Sequence, residues 1–117
     1  MSAEPPILPL WERITVDLMA RTERFPKSIR FTLSSRIEGA ALDVLESLAE
    51  ARFARGPRKR ELLEGADGAL ARLRVLLRLA HRRGVLDHGG YEHVSRELVE
   101  AGRMLGGWRR ERSSTTR

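Results

Sequence analysis

The sequence predicts an all-α protein, an up-down-up-down bundle of four helices in a single domain. Leu, Ala, Arg and Glu are abundant among the 117 residues, and aromatic residues make up only 5%. This composition favours helices, because straight-chain residues and alanine lose little freedom in them. Apolar residues recur at spacings of three and four in four segments, which is typical of helices packed on one core. The connections between the segments are short, so neighbouring helices are expected to be antiparallel.

An extended segment is expected at residues 1–9, where prolines stand at positions 5, 6 and 9. The first helix is predicted from about 10 to 24. Its apolar residues at helical spacing are Trp11, Ile14 and Leu18. Phe25-Pro26 is expected to end it, since proline disfavours helical geometry in the residue before it.

The second helix is predicted from about 27 to 54, and Gly56-Pro57 is expected to close it with the glycine as a C-cap. Its core-facing residues are Leu33, Ile37, Ala41, Val44, Leu45 and Leu48. The third helix is predicted from about 58 to 83, with Gly84 after its end. Its core-facing residues are Leu62, Ala66, Ala69, Leu73, Leu76, Leu77 and Ala80. Gly65 and Gly68 predict a kink or a close helix contact, because each costs about 1 kcal/mol relative to alanine.

The fourth helix is predicted from about 87 to 110, with Asp87 as its N-cap. Its apolar seam has heptad spacing, which packs helices at small crossing angles, and consists of Tyr91, Val94, Leu98, Ala101, Leu105 and Trp108. Trp108 ends the seam and is expected to be largely buried. The bundle domain then spans 10–111, and residues 112–117, rich in Ser and Thr, are predicted to be a disordered tail.

Several function classes are disfavoured by what the sequence lacks. It has no cysteine, hence no disulfide framework, thiolate zinc site or Cys nucleophile. The first residues do not read as a secretory signal, and no apolar run approaches the ~18 residues of a membrane span. No phosphate-binding glycine loop or nucleophile–base pair is present, and the three histidines (81, 88, 93) are not spaced four apart as metal ligands on one face. We therefore expect a cytoplasmic protein with no cofactor, metal, small-molecule substrate or catalytic activity.

The positive charge is concentrated in one central part of the chain. The net charge is +6, and residues 52–83 alone contribute +7. Arg74, Arg78 and Arg82, here called the basic row, recur every four residues roughly opposite the Leu73/Leu77 stripe. The corner cluster, where the second helix turns into the third, consists of Arg52, Arg55, Arg58, Lys59 and Arg60.

The basic row has two interpretations, a solvated face or an anion-binding surface. Solvated faces are the commoner fate of charge runs. However, like charges four apart destabilise a helix, and no acid is present from Arg72 through Leu86. Anion binding is therefore favoured, and together with the corner cluster the row predicts an extended basic surface for nucleic-acid phosphates.

Two further patterns concern carboxylates and apolar residues. Asp43, Glu46 and Glu50 are expected to pair with nearby arginines, since no His or Cys accompanies them. Several apolar residues lie off the core stripes and indicate a partner or an oligomer, namely Leu42, Phe53, Val75 and Leu79. The residues predicted to form the core or an interface are Trp11, Leu45, Leu73, Leu77, Tyr91, Leu98, Leu105 and Trp108.

Eight short strings carry a family resemblance over residues 8 to about 109. They are LPLWER (8–13), FPKSIRFTL (25–33), RIE (36–38), ALDVLE (41–46), EAR (50–52), LRVLLRLA (73–80), YEH (91–93) and GRMLGGW (102–108). In this order and spacing they resemble the accessory variability determinant (Avd) proteins of diversity-generating retroelements. The glycines at 65, 68, 89 and 90 depart from the expected pattern.

The resemblance implies a homopentameric ring of four-helix bundles that binds the element's reverse transcriptase and its template-repeat RNA. Such a protein supports error-prone, adenine-directed cDNA synthesis, and the chemistry belongs to the polymerase. Two alternatives stay open. One is a related four-helix protein encoded in a ribosomal RNA intervening sequence, and the other is a structural oligomer with a solvated basic face.

Overall fold

The structure, a computed structural model, describes the backbone of residues 3–114 and the side chains of residues 3–111. Within these limits it is all-α and contains no strand, as predicted. A 3₁₀ turn and a π-helical turn precede the second helix. The helices are α1 (Ile7–Thr22), α2 (Ser35–Ala51), α3 (Gly56–Arg82) and α4 (His88–Ser114). No described helix is long and apolar enough to cross a membrane.

Contacts between the helices establish an antiparallel order. On the α1–α4 seam, Arg13 reaches Glu97 while Asp17, one turn later, lies beside His93. On the α3–α4 seam, Asp67 pairs with Arg109 and Arg74 reaches Leu98, again in opposite directions along the two helices. The bundle measures 49 × 24 × 21 Å. It therefore has two distinct ends, one at the α2–α3 corner and one at the α3–α4 corner.

The core consists of one apolar stripe from each helix, with Trp11 at its centre. The Trp11 side chain is completely buried, and its Nε1 donates a hydrogen bond of 2.8 Å to the carbonyl oxygen of Ala41 on α2. Fully buried side chains from α3 and α4 surround the same interior: Leu73, Leu77, Leu98 and Leu105. Leu45 and Tyr91 are half-buried at its margin.

Trp108 is less buried than expected, because it lies past the start of α1. Arg13 of α1 pairs with Glu97 of the antiparallel α4, so Trp108, three turns after Glu97, lies beyond Ile7. Trp108 is half-buried, packs on the edge of the core, and has the Lys59 ammonium 5.5 Å from its ring centroid.

The first helix begins at Ile7 and not at residue 10, so residues 7–9 are not extended. Pro6 stands at the N-cap and Pro9 in the first turn. The first amides of a helix have no partner within it, and a residue that lacks an N–H is tolerated there. The helix ends at Thr22, two residues earlier than predicted, ahead of Phe25-Pro26.

The second predicted helix, 27–54, is three elements in the structure. Lys27–Ile29 form a 3₁₀ turn, Arg30–Ser34 a π-helical turn, and only then does α2 run to Ala51. Gly56 does not close α2. It adopts a φ of +57° at the first position of α3, and Pro57 occupies the first turn, where its missing N–H leaves no bond unmade.

The α3–α4 connection follows the sequence prediction closely. Gly84 follows the C-cap residue Arg83 and has a φ of +79°, a conformation that residues with a side chain rarely adopt. Asp87 caps α4, since its Oδ1 accepts a hydrogen bond of 2.6 Å from the amide of Gly90. α4 continues through Ser114, so positions 112–114 of the predicted tail are helical, and residues 115–117 lie outside the described residues.

Gly65 and Gly68 of α3 do not make the close helix contact that was expected from their unfavourable helix propensity. A Cβ at Gly65 would meet no atom within 4 Å, and one at Gly68 would meet only Arg72 of the same helix. The close approach occurs on α4, where a Cβ at Gly102 would collide with the guanidinium of Arg74.

The difference between the two tryptophans gives a stability prediction. Trp11→Ala is expected to lower the free energy of unfolding by about 3–5 kcal/mol, because it leaves a cavity and removes the buried hydrogen bond to Ala41. Trp108→Ala is expected to lower it by less than half as much, since the ring is already partly solvated. Urea denaturation of both variants measures the two values. Equal losses of unfolding free energy in the two variants would contradict the conclusion that Trp11 is central to the core and Trp108 lies at its edge.

Candidate nucleic-acid interface

The basic row lies on the last three turns of α3, at the α3–α4 end of the bundle. Its three side chains are exposed, while Leu73, Leu77 and Ala80 of the same turns are buried. Successive members of the row are about 6 Å apart along the helix axis. The helix places them as predicted, but they do not have equivalent surroundings.

Arg74 contacts α4, although its side chain is exposed. Its Nη2 donates a hydrogen bond of 3.2 Å to the carbonyl oxygen of Leu98, and its guanidinium lies over Gly102. Residues four apart on a helix are rotated by about 40°, so the row drifts around α3 and its first member points toward α4. Arg74 therefore differs from Arg78 and Arg82 in its surroundings, and its role in anion binding stays a prediction.

Arg78 and Arg82 are different. Within residues 3–111 neither side chain makes an ion pair or a hydrogen bond with another side chain. Arg83 follows them and is also exposed. These arginines form a concentration of positive charge that the protein itself does not neutralise, and an anionic ligand would neutralise it.

The corner cluster is mostly occupied by intramolecular partners. Arg52 pairs with Glu4 at 3.7 Å, and Lys59 lies over the Trp108 ring. Arg58 pairs with Glu50 at 2.6 Å, and this hydrogen bond, together with the Glu50 charge, raises the pKa of Arg58. Arg55 and Arg60 are exposed, and no described residue pairs with either. Two members of the cluster are thus available to an anion.

The two regions do not form one continuous basic surface. Arg60 and Arg78 are 18 residues apart, five full turns, so they share a face of α3 at a separation of about 27 Å. Between them the same face carries Glu64 and Asp67, and Asp67 pairs with Arg109 at 3.3 Å. The structure therefore has two basic patches, one near each end of the bundle, with the carboxylates of Glu64 and Asp67 between them.

Among the described residues, two of the three carboxylates in the acidic cluster of α2, Asp43 and Glu50 but not Glu46, form the expected ion pairs with arginines. Asp43 pairs with Arg72 at 3.6 Å, and Glu50 pairs with Arg58. The arginines at 13, 96 and 103, by contrast with the basic row, each contact a carboxylate. They are suitable controls for any test of unpaired charge.

Apolar side chains border the basic row. Val75 and Leu79 of α3 are 54% and 49% exposed. Of the other two residues predicted to lie off the core stripes, Phe53 is exposed and Leu42 is half-buried. Three further exposed apolar residues were not predicted from the sequence: Val16, Phe31 and Val99. Val75 stands between two depressions. One, of about 190 Å³, lies toward α4 and includes Val99; the other, of about 610 Å³, lies toward α2 and includes Gly39 and Leu76.

One group of residues was missed from the sequence. Asp17 of α1 meets His93 and Glu97 of α4, and one ligand-type atom from each lies within 4.8 Å of the other two. The signal that could have found part of it is the spacing of His93 and Glu97, four apart on one helix face. The contribution of Asp17 depends on how α1 and α4 align, which no local pattern reveals.

The fold and its exposed arginines define a class of protein, a small four-helix bundle with a positive net charge and two basic patches. A family model described as bAvd-like matches residues 12–112. The chain belongs to the bAvd-like family and is an Avd-type accessory protein, which confirms the resemblance drawn from the eight strings. No curated protein matches the sequence significantly.

The distinct surroundings of Arg74 predict a distinct effect on stability. Arg74→Ala is expected to lower the free energy of unfolding by about 1 kcal/mol, because it removes the hydrogen bond to α4 and the packing over Gly102. Arg78→Ala is expected to change it by less than about 0.5 kcal/mol. Thermal unfolding of both variants, compared at one salt concentration, measures the difference. An unaltered midpoint for Arg74→Ala would show that the contact with Leu98 contributes nothing.

Proposed function

We propose that this chain is a non-enzymatic accessory protein that binds the template RNA and the reverse transcriptase of a diversity-generating retroelement, and that it supports adenine-directed, error-prone cDNA synthesis. The observation that carries the proposal is the pair of exposed arginines, Arg78 and Arg82, that no described residue neutralises in a member of the bAvd-like family. The polymerase chemistry belongs to the partner enzyme.

The physical basis for RNA binding is the release of counterions. Each arginine that neutralises a phosphate frees a condensed cation, which gives affinity without reading the base sequence. An arginine already paired with a carboxylate gains less, because its ion pair must first be broken. Arg78, Arg82, Arg55 and Arg60 are therefore the proposed phosphate contacts, and Arg52, Arg58 and Lys59 have a smaller role.

Two patches on one chain suggest how RNA and polymerase are accommodated together. Arg78 and Arg82 adjoin the exposed Val75 and Leu79, whereas Arg55 and Arg60 lie about 27 Å away near the other end of α3. A surface that combines cations with apolar side chains suits a protein partner as well as RNA. We propose that RNA occupies the Arg78–Arg82 patch. The alternative outcome is that this patch binds the reverse transcriptase, in which case RNA is expected to bind the corner cluster.

Self-association completes the proposal. Val75, Leu79 and Val99 leave apolar area exposed around the two depressions that flank Val75. Exposed apolar area next to a groove is typical of subunit contacts. When an apolar patch on one subunit fits a different surface on the next, repeated contacts of this kind form a closed ring if the rotation between subunits divides a full turn evenly. The proposed assembly is a homopentamer of this kind.

The RNA role predicts a specific salt dependence. Replacing both Arg78 and Arg82 by Ala is expected to flatten the slope of log affinity against log salt by about 1.4 for each subunit engaged, at about 0.7 per contact with single-stranded RNA. Fluorescence anisotropy with a labelled single-stranded RNA, repeated at several salt concentrations, measures the slope.

The matched control is Arg96→Ala with Arg103→Ala, which removes the same charge from arginines already paired with carboxylates. This variant is expected to retain most of the wild-type slope. Identical slopes for the two double variants would reject Arg78 and Arg82 as RNA contacts. If reverse transcriptase capture is lost instead, this patch binds the polymerase.

The assembly is tested by the mass of the particle in solution. Light scattering coupled to gel filtration is expected to give five times the chain mass of 13.3 kDa. Val75→Glu with Leu79→Glu is expected to reduce the mass toward that of one chain, because charges would face the apolar contact. A wild-type protein that elutes as a monomer at micromolar concentration would refute self-association.

A further inference from the structure

A cluster of possible metal ligands lies on the seam between α1 and α4, on residues that have no part in the proposed RNA contacts. Asp17 comes from α1, and His93 and Glu97 come from α4, where their spacing of four places them on one face. His93 Nε2 and Glu97 Oε1 are 3.4 Å apart. Zinc bonds of about 2.0–2.1 Å at tetrahedral angles separate two ligand atoms by about 3.4 Å. The spacing of this pair therefore already fits one ion.

The third ligand lies within reach of the same position. The Asp17, His93 and Glu97 ligand atoms all lie within 4.8 Å of one another, so closure around an ion needs a carboxylate movement of about 1–1.5 Å. The Asp17 side chain is 36% exposed and is held by a single ion pair. A rotation of this side chain supplies the movement without a change in the backbone.

Glu97 provides an independent observation. Its side chain is only 13% exposed, and its Oε1 is buried with no hydrogen-bond partner. A buried carboxylate oxygen that accepts no hydrogen bond destabilises the fold, and buried charges are ordinarily paired or coordinate metals. Oε1 faces His93 at 3.4 Å without a hydrogen bond, whereas Oε2 accepts a hydrogen bond of 2.7 Å from Arg13 Nη1.

Two arginines hold the carboxylates in the orientation that a metal needs. Arg13 contacts only Oε2 of Glu97, and Arg21 Nε donates to Oδ2 of Asp17 at 2.9 Å. Each carboxylate therefore keeps its other oxygen for an ion. Groups that hydrogen-bond to ligating carboxylates fix their orientation and tune affinity. Their positive charge also opposes a cation, so binding is expected to be weaker than at a four-ligand structural zinc site.

We propose that Asp17, His93 and Glu97 bind one zinc ion per chain, with water as the fourth ligand. An imidazole with two carboxylates suits Zn²⁺, whereas Mg²⁺ prefers oxygen ligands and retains its waters. The ion joins the first helix to the last and satisfies the buried oxygen of Glu97. The sequence-based expectation of no metal considered the missing cysteines, the spacing of the histidines and the carboxylates of α2, whereas the third ligand here comes from α1.

The test is isothermal titration of the full chain, stripped of metals with a chelator, with zinc chloride. One saturable site per chain is expected, together with a rise of several degrees in the thermal midpoint at zinc well above Kd. His93→Gln is expected to weaken binding at least tenfold. The matched control is His88→Gln, because His88 pairs with Glu92 at the same spacing on the same helix without a third ligand. Circular dichroism checks that both variants fold.

Asp17→Asn distinguishes the proposed site from a simple pair on the surface of α4. It is expected to weaken zinc binding at least tenfold while leaving the α4 residues in place. Cobalt supplies a second readout, since a tetrahedral Co²⁺ site absorbs strongly in the visible region and an exposed, hydrated ion does not. Equal zinc affinity in His93→Gln and His88→Gln, full affinity in Asp17→Asn, or no saturable binding by the wild type would each overturn the proposal. None of these outcomes bears on RNA binding through Arg78 and Arg82.

Discussion

Burial of the Leu and Ala stripe of α3 determines the direction of every charged side chain on that helix. Leu73, Leu77 and Ala80 are between 0% and 2% exposed, and they pack into the same interior as Trp11. Because each residue is rotated about 100° from the one before it, this burial turns Arg78 and Arg82 outward with no further specification. The same constraint places Val75 and Leu79 on the surface. The basic patch and its apolar margin are therefore geometric consequences of the core.

The intramolecular partners of the arginines show which basic surfaces are neutralised within the protein, which composition alone does not show. The +7 excess between residues 52 and 83 is a sum, and the structure divides it. Arg58 and Arg72 face carboxylates of α2, Arg74 faces a backbone carbonyl of α4, and Arg78 and Arg82 face no described partner. Net charge predicts that a protein attracts anions, but the absence of an internal partner identifies where an anion gains the most.

The sequence was sufficient to predict four helices, their core stripes and two of their end signals, Gly84 and Asp87. These features depend on the local spacing of apolar residues and on single residues at helix ends, both of which are visible in the sequence. The start of α1 was predicted too late because prolines 6 and 9 were read as extended, although the first turn of a helix accepts proline. The 3₁₀ and π-helical turns before α2 have no local signal of comparable strength.

Other features required information that lies between helices. Trp108 continues the predicted heptad seam, but its burial depends on where α1 begins beside α4. Arg74 belongs to a correct row of arginines, and its attachment to Leu98 depends on the angle at which α4 crosses α3. The cluster of Asp17, His93 and Glu97 needs the register of α1 against α4. Each of these is a long-range relation between helices, which the local spacing of residues in a single sequence does not reveal.

The chemical difference between its two ends gives the molecule a polarity. At the α2–α3 end, Trp108 lies past the start of α1, with Arg55 and Arg60 nearby on the turn and the start of α3. At the opposite end, the connection turns at Gly84, and Arg78, Arg82 and Arg83 are exposed. Any assembly with a rotation axis parallel to the helices would therefore have two unlike faces, one bearing Trp108 and the other bearing these three arginines. Molecules that approach such a particle from its two sides would meet chemically different surfaces.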